Sequence, residues 1–557
     1  MRAPLAVALL LVARARPAAA LDKTPIFDEL NASFAYYDPT NPVLASADRA
    51  AAARSWLRGY LWNRSNTVLI LDNRVIVDGE FLRSTGDKGR RHLRFLSTLV
   101  YSSLGASRKA TRRRVARRLP NAVYHFNQLS TGEGCPDDRE PCLVIAKDRR
   151  SRPGVLVPNP YFGDMRDWHD FQSKLRKVGA PRKFVMRERQ AFWRGAIMNY
   201  DSESPADACP KESGNYARLQ ALALTLAHPE AVNARCVFAE ACRPRKNGSK
   251  CGSMPYDMYA DKVVRDPVAL STGEFVYEPD YSRHKYVLNL PGSTFGGYSR
   301  NLNHLWAIGS VVMQWRNEAI EWYYPALEEG QTHVTVDASN LVEHVEALEA
   351  APAKSFALRQ GASEVGKELV CAQCITDYFT KVLGALRERW AMHEVLDDPC
   401  VLRNFLREPE TQEALNCSQL NLVEIVSRYD DKLQSRSHSW HHSGANWQHP
   451  NLHRGPWLHP EDIPAKPYGA YTHSLVDARP LGPGCAAIAR HANHMCVSRG
   501  AGEAGAPGGL AAVLSDDGGA DEAPKRHRPG ANAKHAVHPF DAADVDDAAA
   551  QTDEHLN

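Results

Sequence analysis

The run "KYVLNLPGSTFGGYSRNLNHLWAIGSVVMQW", Lys285 to Trp315, limits the fold more than any other part of the chain. An apolar, β-rich stretch stops at a Pro-Gly pair, a loop of small and hydroxyl residues follows, and a helical pattern leads into a second β-rich stretch. The alternation continues to 389: a strand over 286–290, the loop, a helix, a strand over 310–314, a helix over 318–327, a strand over 332–336, then helices from 341 onward. Units in this order imply an α/β fold with a parallel sheet covered by helices.

At 557 residues the chain is too long for one ordinary core, and two or three domains are expected. Its 68 basic and 65 acidic residues leave a net charge of +3, so no general attraction to nucleic acid is indicated. Met1-Arg2 precedes an apolar run over 3–12 and an Ala18-Ala19-Ala20 cleavage pattern, the form of a secretory signal peptide over 1–20. Arg14 and Arg16 are atypical there, and a short uncleaved anchor stays open. No other stretch approaches the roughly 20 apolar residues that span a bilayer, so stable membrane insertion is not expected. Twelve cysteines and the sequons at Asn31, Asn63, Asn247 and Asn416 agree with passage through an oxidising compartment. Cys135 with Cys142, or two of Cys236, Cys242 and Cys251, would clip loops. Cys371 and Cys374 form a CxxC placed inside a helical pattern, where a structural role is expected rather than redox chemistry.

Between 21 and 105 the pattern gives helices over 46–60 and 87–104, and two strands joined by Asp72-Asn73. A basic helix over 108–118 and a strand over 122–126 follow, opening an acceptor-side domain taken over 106–200. The next domain, 201–390, contains a helix over 215–227 and the alternating region above, and helices are expected over 391–430. From 431 to 557 periodicity is lost, first in a His/Trp/Pro-rich stretch and then in a low-complexity tail expected to be disordered. His438, His441, His442, His449, His453 and His459 lack fixed ligand spacing, and no metal site is expected there.

The loop "PGSTFGGYSR" offers backbone N–H groups, hydroxyls and Arg300 beyond the carboxyl end of a strand, a donor set that suits a diphosphate. An ordinary glycine-containing turn explains the same residues. The loop is neither GxGxxG nor GxxxxGK[ST], which leaves a sugar nucleotide as the common luminal diphosphate.

The segments "FWRGA" (192–196), "NYAR" (215–218), "KYVLNLPG" (285–292), "GSVVMQW" (309–315), "EWYYPAL" (321–327) and "HVTVDASNL" (333–341) follow one another at spacings that resemble glycosyltransferase family 90. That group contains protein O-glucosyltransferases of the endoplasmic reticulum and fungal capsule xylosyltransferases. Gly361 and Tyr378-Phe379 extend the resemblance, which covers roughly 115–390. The resemblance implies a GT-B architecture, two Rossmann-like domains facing a cleft. It implies inverting transfer of glucose or xylose from a UDP-sugar to a protein or glycan hydroxyl, with no metal or other cofactor. Carried over by position, Arg194, Gly195 and Arg218 lie beside the donor, and Ser293, Thr294, Phe295, Gly296, Gly297, Tyr298, Ser299 and Arg300 form the diphosphate loop.

Inversion needs a base opposite the leaving phosphate. Ungapped counting puts Ser130 where the family has its aspartate, so Glu133 is the nearest candidate base and Asp164 the next. Tyr161, Phe162 and Trp168 fall where the family lines its acceptor groove, and they would either stack on an acceptor or fill an interface. The chain ends "TDEHLN", which is no KDEL-like signal, so Golgi residence or secretion stands beside the endoplasmic reticulum. With the aspartate replaced, an inactive glycan- or glycoprotein-binding module is the alternative reading.

Overall fold

The computed structural model describes residues 20–63, 66–85, 87–103, 119–127, 139–148, 154–162, 165–179, 183–195, 200–201, 214–236, 249–250, 278–292, 302–427 and 476–490, with Cys135, Val276, Ala492 and Cys496. All lie in one compact unit, Met1–Ala501; the second unit, Gly502–Asn557, falls outside the described residues.

With strands numbered along the chain, the larger sheet joins β1 (Thr67–Leu71), β2 (Arg74–Asp78), β3 (Ala122–Asn127), β4 (Cys142–Val144), β6 (Val155–Leu156), β15 (Asn421–Ser427) and β16 (Val476–Pro483) in the order β16-β15-β2-β1-β3-β4-β6. Asp72 and Asn73 both take positive φ, 47° and 58°, and make the two-residue turn between β1 and β2. Such turns match the strand twist and favour Asn and Asp, which is why this hairpin was readable. β3, β4 and β6 run parallel, whereas β15 and β16 add antiparallel strands on the far side of β2. Helices were expected throughout 391–430 and no periodic element from 431, but β15 and the stretch 476–490 depart from both expectations. Pairing with β2, itself buried along Val75–Val77, supplies the partner that local periodicity could not reveal.

The second sheet is wholly parallel: β7 (Glu188–Gly195), β9 (Val232–Cys236), β11 (His284–Asn289), β12 (Val311–Trp315) and β14 (Val334–Val336), in the order β14-β12-β11-β7-β9. Its faces are sorted by alternation. Ala191, Trp193, Tyr286, Leu288, Val311 and Met313 enter one core with Ala217, Val345 and Leu358, while Phe192, Val287 and Val312 enter the main core from the other face. Burial on both faces is what makes these strands nearly continuous apolar runs.

Two short ladders complete the pairing. β5 (Lys147–Asp148) pairs antiparallel with β13 (Ala319–Ile320), tying the region of the first sheet to that of the second. β8 (Tyr200–Asp201) pairs parallel with β10 (Ser249–Lys250). The helix expected over 318–327 is therefore replaced by β13 and a single 3-10 turn, Tyr324–Ala326. Ala319 to Tyr324 are all buried, so the segment lacks the exposed face of an amphipathic surface helix.

Local chemistry sets the helix ends. The helix expected over 46–60 begins at Arg49, because Asp48 accepts the Ala51 N–H at 3.0 Å and acts as its N-cap. The pair Cys371 and Cys374 straddles a helix start rather than lying wholly within a helix: Cys371 is the N-cap of helix Ala372–Arg389, Cys374 lies in its first turn, and Cys371 Sγ accepts the Cys374 N–H at 3.0 Å. The preceding element is another helix, Pro352–Glu368, and the two are bent by 58° where the pair stands. The basic helix expected over 108–118 lies outside the described residues.

Four disulfides join Cys135 to Cys142, Cys371 to Cys374, Cys400 to Cys496 and Cys417 to Cys485, and no cysteine among the described residues is free. Disulfides in this number fit an oxidising compartment. No single helix among the described residues is long and apolar enough to cross a membrane.

Candidate functional site

The parallel sheet has a point where its strand order reverses. Counting its strands along the chain, β9 to β14 reads 2-1-3-4-5, so the chain turns outward in opposite directions on either side of the β7–β11 pair. In open α/β sheets the connections leaving two such strands diverge, and the crevice beyond their carboxyl ends is where ligands bind. Gly195 ends β7, and Asn289 ends β11 with Leu290 between it and the Pro291-Gly292 pair.

Two of the expected donor residues, Gly195 and Arg218, lie at this end of the sheet. Arg218, on helix Gly214–Ala227, donates from Nε and Nη2 to the Pro291 carbonyl at 3.1 and 2.9 Å. Its guanidinium lies 5.7 Å from the Trp193 ring centroid. The Arg218 side chain thus fastens the stem of the 293–300 loop to the helix after β7. Gly195 packs against the same indole: a Cβ there would stand 2.2 Å from Trp193 Cζ2. Trp193 is 2% exposed and has no room to retreat. Gly195→Ala is expected to lose about 1–3 kcal/mol of stability through overpacking. A thermal midpoint equal to that of the parent would show that the indole yields.

Arg194 points to the other face of β7. Its Nη1 donates to the carbonyls of Trp193 and Asn233, both at 2.8 Å, its Nη2 donates to Asn233 Oδ1 at 3.0 Å, and its guanidinium lies over Phe192 at 4.3 Å. Burial pulls its pKa down to about 10, which leaves it cationic at neutral pH. Tyr281 donates its hydroxyl to the Arg194 carbonyl at 3.2 Å. Arg194 is therefore held as a strut between β7 and β9, on the opposite side of the strand from Trp193 and Arg218.

Beneath the crevice lies a set of buried polar residues that the sequence reading did not single out. Asn289, Asn303, His304, Glu321 and Asn159 are all at most 5% exposed. Asn159 Nδ2 donates to Glu321 Oε2 at 2.6 Å and to Asn303 Oδ1 at 3.2 Å, and Asn303 Nδ2 returns a bond to Asn159 Oδ1 at 3.0 Å. Burial holds His304 down to about 3, hence neutral, and pushes the Glu321 carboxyl up to about 8. One sign was legible: Glu321 opens "EWYYPAL", a carboxylate set against three aromatic residues.

Tyr161, Phe162 and Trp168 are interior side chains, 6%, 3% and 5% exposed. Phe162 meets Trp168 edge to face at 5.1 Å, and Trp168 Nε1 donates to the Val370 carbonyl at 2.7 Å. They fill the interior, and in this arrangement none offers a face for stacking. Glu133, Asp164, Ser130 and the loop Ser293, Thr294, Phe295, Gly296, Gly297, Tyr298, Ser299 and Arg300 lie outside the described residues. No group of three or more His, Cys, Asp or Glu side chains able to hold a metal ion occurs among the described residues.

No family model matches the chain, and no curated protein matches it. Among solved structures, the crystal structure of Anabaena Alr3699/HepE in complex with UDP and glucose is similar over 39% of this chain and 52% of its own, at 13% identity and a TM-score of 0.23. The same protein in complex with UDP-glucose matches over 39% and 53%, at 14% identity and a TM-score of 0.23. The chain spans about half the length of these proteins, and a likeness at this level carries no argument.

Proposed function

We propose that this chain is an inverting UDP-sugar transferase of the secretory-pathway lumen, acting on a hydroxyl of a protein or glycan. The observation that supports this reading best is the strand-order reversal between β7 and β11, which sets Gly195 and Arg218 at the stem of the glycine- and hydroxyl-rich 293–300 loop. A crevice of this kind is where open α/β sheets bind nucleotides. The order of six segments resembling glycosyltransferase family 90 supports the same reading and adds the GT-B plan, with the second sheet on the donor side.

In the proposed reaction the acceptor oxygen forms a bond to the anomeric carbon while the bond from that carbon to the β-phosphate oxygen breaks. UDP leaves with the electron pair, and the acceptor proton passes to Glu133, with Asp164 as the next candidate base. Negative charge developing on the departing diphosphate is met by Arg218, Arg300 and loop amides in place of a divalent cation. Glucose and xylose are the donors that the resemblance implies.

One observation favours a second reading. Serine stands at position 130, where the resemblance calls for the aspartate base, and a hydroxyl cannot act as that base at neutral pH. A binding module that keeps the donor crevice without turnover follows if neither carboxylate replaces it. Purified protein assayed with UDP-glucose, UDP-xylose and other UDP-sugars separates the two. Release of UDP from one donor, abolished by Glu133→Gln, is the expected result. Binding of UDP without turnover would establish the second reading, and absence of UDP binding would sink both.

A further inference from the structure

Asn159, Asn303 and Glu321 come from three separate parts of the chain: the segment after β6, the short helix Leu302–Leu305 beyond the 293–300 loop, and the turn after β13. The orientation of the Asn159 amide is set by the backbone. Tyr161 N–H can only donate, and it does so to Asn159 Oδ1 at 3.0 Å. The Asn159 amide nitrogen must then face Glu321, so Oε2 is an acceptor in this contact. Glu321 Oε1 meets no donor at hydrogen-bond geometry, although the Tyr324 hydroxyl lies alongside. Tyr324 also neighbours Asn289, the last residue of β11. The carboxyl thus sits at the seam between the two sheets, directly beneath the proposed donor crevice.

A carboxylate here would be fully buried, with the Asn159 amide at one oxygen, no better than the off-geometry Tyr324 hydroxyl at the other, and no ion pair among the described residues. That arrangement is costly for a charge and satisfactory for an acid, whose second oxygen carries a proton and donates. We propose that Glu321 is a positioning residue that works as a neutral carboxylic acid, locking the segment after β6 to the two ends of the donor loop through Asn159, Asn303 and Tyr324. The inference deepens the transferase reading and rests on it for the identity of the ligand, UDP.

The groups facing Glu321 leave it as the one that titrates between pH 5 and 9. Tyr323 and Tyr324, on its own turn, are pushed well above the usual tyrosine value by burial; Asn159 and Asn303 do not ionise; and neighbouring His304 stays neutral. Burial raises Glu321 from 4.5 to about 8. In that interval the folded chain holds a proton that the unfolded chain has released, so stability falls as pH rises toward 8. Glutamine copies the neutral acid in shape and charge and removes this slope.

The test compares the full chain with Glu321→Gln and Glu321→Ala. Thermal midpoints are recorded without ligand from pH 5 to 9, and UDP affinity is measured over the same range. The parent midpoint is expected to fall with pH more steeply than that of Glu321→Gln. Its apparent Kd for UDP should weaken toward about tenfold per pH unit above 8, while Glu321→Gln stays flat and equals the parent at pH 6. Glu321→Ala should bind UDP poorly at every pH. Parallel midpoint profiles for parent and Glu321→Gln, or a Gln variant as impaired as Ala at pH 6, would overturn the proposal. If no variant binds UDP, the donor reading falls, and the ligand-free profiles alone decide the protonation of Glu321.

Discussion

Arg218→Ala is expected to lower the rate of UDP release from the productive sugar donor by about 10²–10³-fold, the usual effect of removing one fixed donor from a site of developing negative charge. Two losses combine. The substitution removes a cation from the crevice between β7 and β11. It also frees the Pro291 carbonyl, which Arg218 grips with two nitrogens at 2.9 and 3.1 Å, so the loop stem is no longer held against helix Gly214–Ala227. Arg218→Lys separates these contributions, since an ammonium keeps the charge but cannot reproduce the planar two-nitrogen grip. A Lys variant near the alanine variant would assign the effect to loop placement, and one near the parent would assign it to charge. Turnover in Arg218→Ala equal to the parent would remove Arg218 from the donor site.

Cys417→Ser with Cys485→Ser is expected to cost about 3 kcal/mol of unfolding free energy by the loop-closure estimate, the enclosing Cys400–Cys496 bond remaining in place. The bond spans 68 residues and anchors the start of the β15–β16 pair to the turn beyond β16, where Cys485 is fully buried. β16 is the outermost strand of its sheet and reaches it from across a long stretch of chain; the Cys400–Cys496 bond still encloses that stretch, so without the inner bond β16 must find β15 within the loop that the outer bond closes. Cys371→Ser with Cys374→Ser provides the contrast. Its separation of 3 closes almost no loop, and a much smaller loss is expected, with donor turnover retained. Denaturant unfolding of the three proteins under non-reducing conditions makes the comparison. Equal losses would show that loop length is not what these bonds contribute. Loss of turnover only in the Cys371/Cys374 variant would revive a redox role for the pair, now placed at a helix N-terminus rather than inside a helix.

The parts of the fold that were readable in advance are those with local causes. The Asp72-Asn73 turn takes positive φ at both residues, and these residue types tolerate it, so the hairpin is visible in two letters. β11 and β12 announce themselves as apolar runs because a parallel sheet covered on both faces favours apolar side chains at its central positions, with the polar ones toward the strand ends. Where partners were distant, local pattern failed. Residues 318–327 carry enough apolar residues to suggest a helix, and only pairing of Ala319 and Ile320 with Asp148 and Lys147 makes them extended. β16 lay in a stretch with no period of its own, because its order comes from β15 and from Cys485.

The candidate site divides in the same way. Gly195 and Arg218 entered only through the resemblance to glycosyltransferase family 90, whereas the loop after β11 has a local signature of its own, a polar, glycine-rich stretch following an apolar run. Tyr161, Phe162 and Trp168 were legible as a cluster, with stacking on a ligand and filling an interface left side by side, since aromatic side chains read alike whether they meet a ligand or a core. Glu321 was hidden for a related reason: its protonation depends on what surrounds it, and Asn159 is 162 residues away along the chain. The amino-acid order by itself determined that β11, β12 and β14 become strands of a parallel sheet and that a polar loop must follow the first of them, because periodicity and turn chemistry act over a few residues. Only the tertiary structure decided that the strand order reverses between β7 and β11 and that a lone carboxyl lies beneath that crevice, because desolvation and strand neighbours are properties of the packed chain.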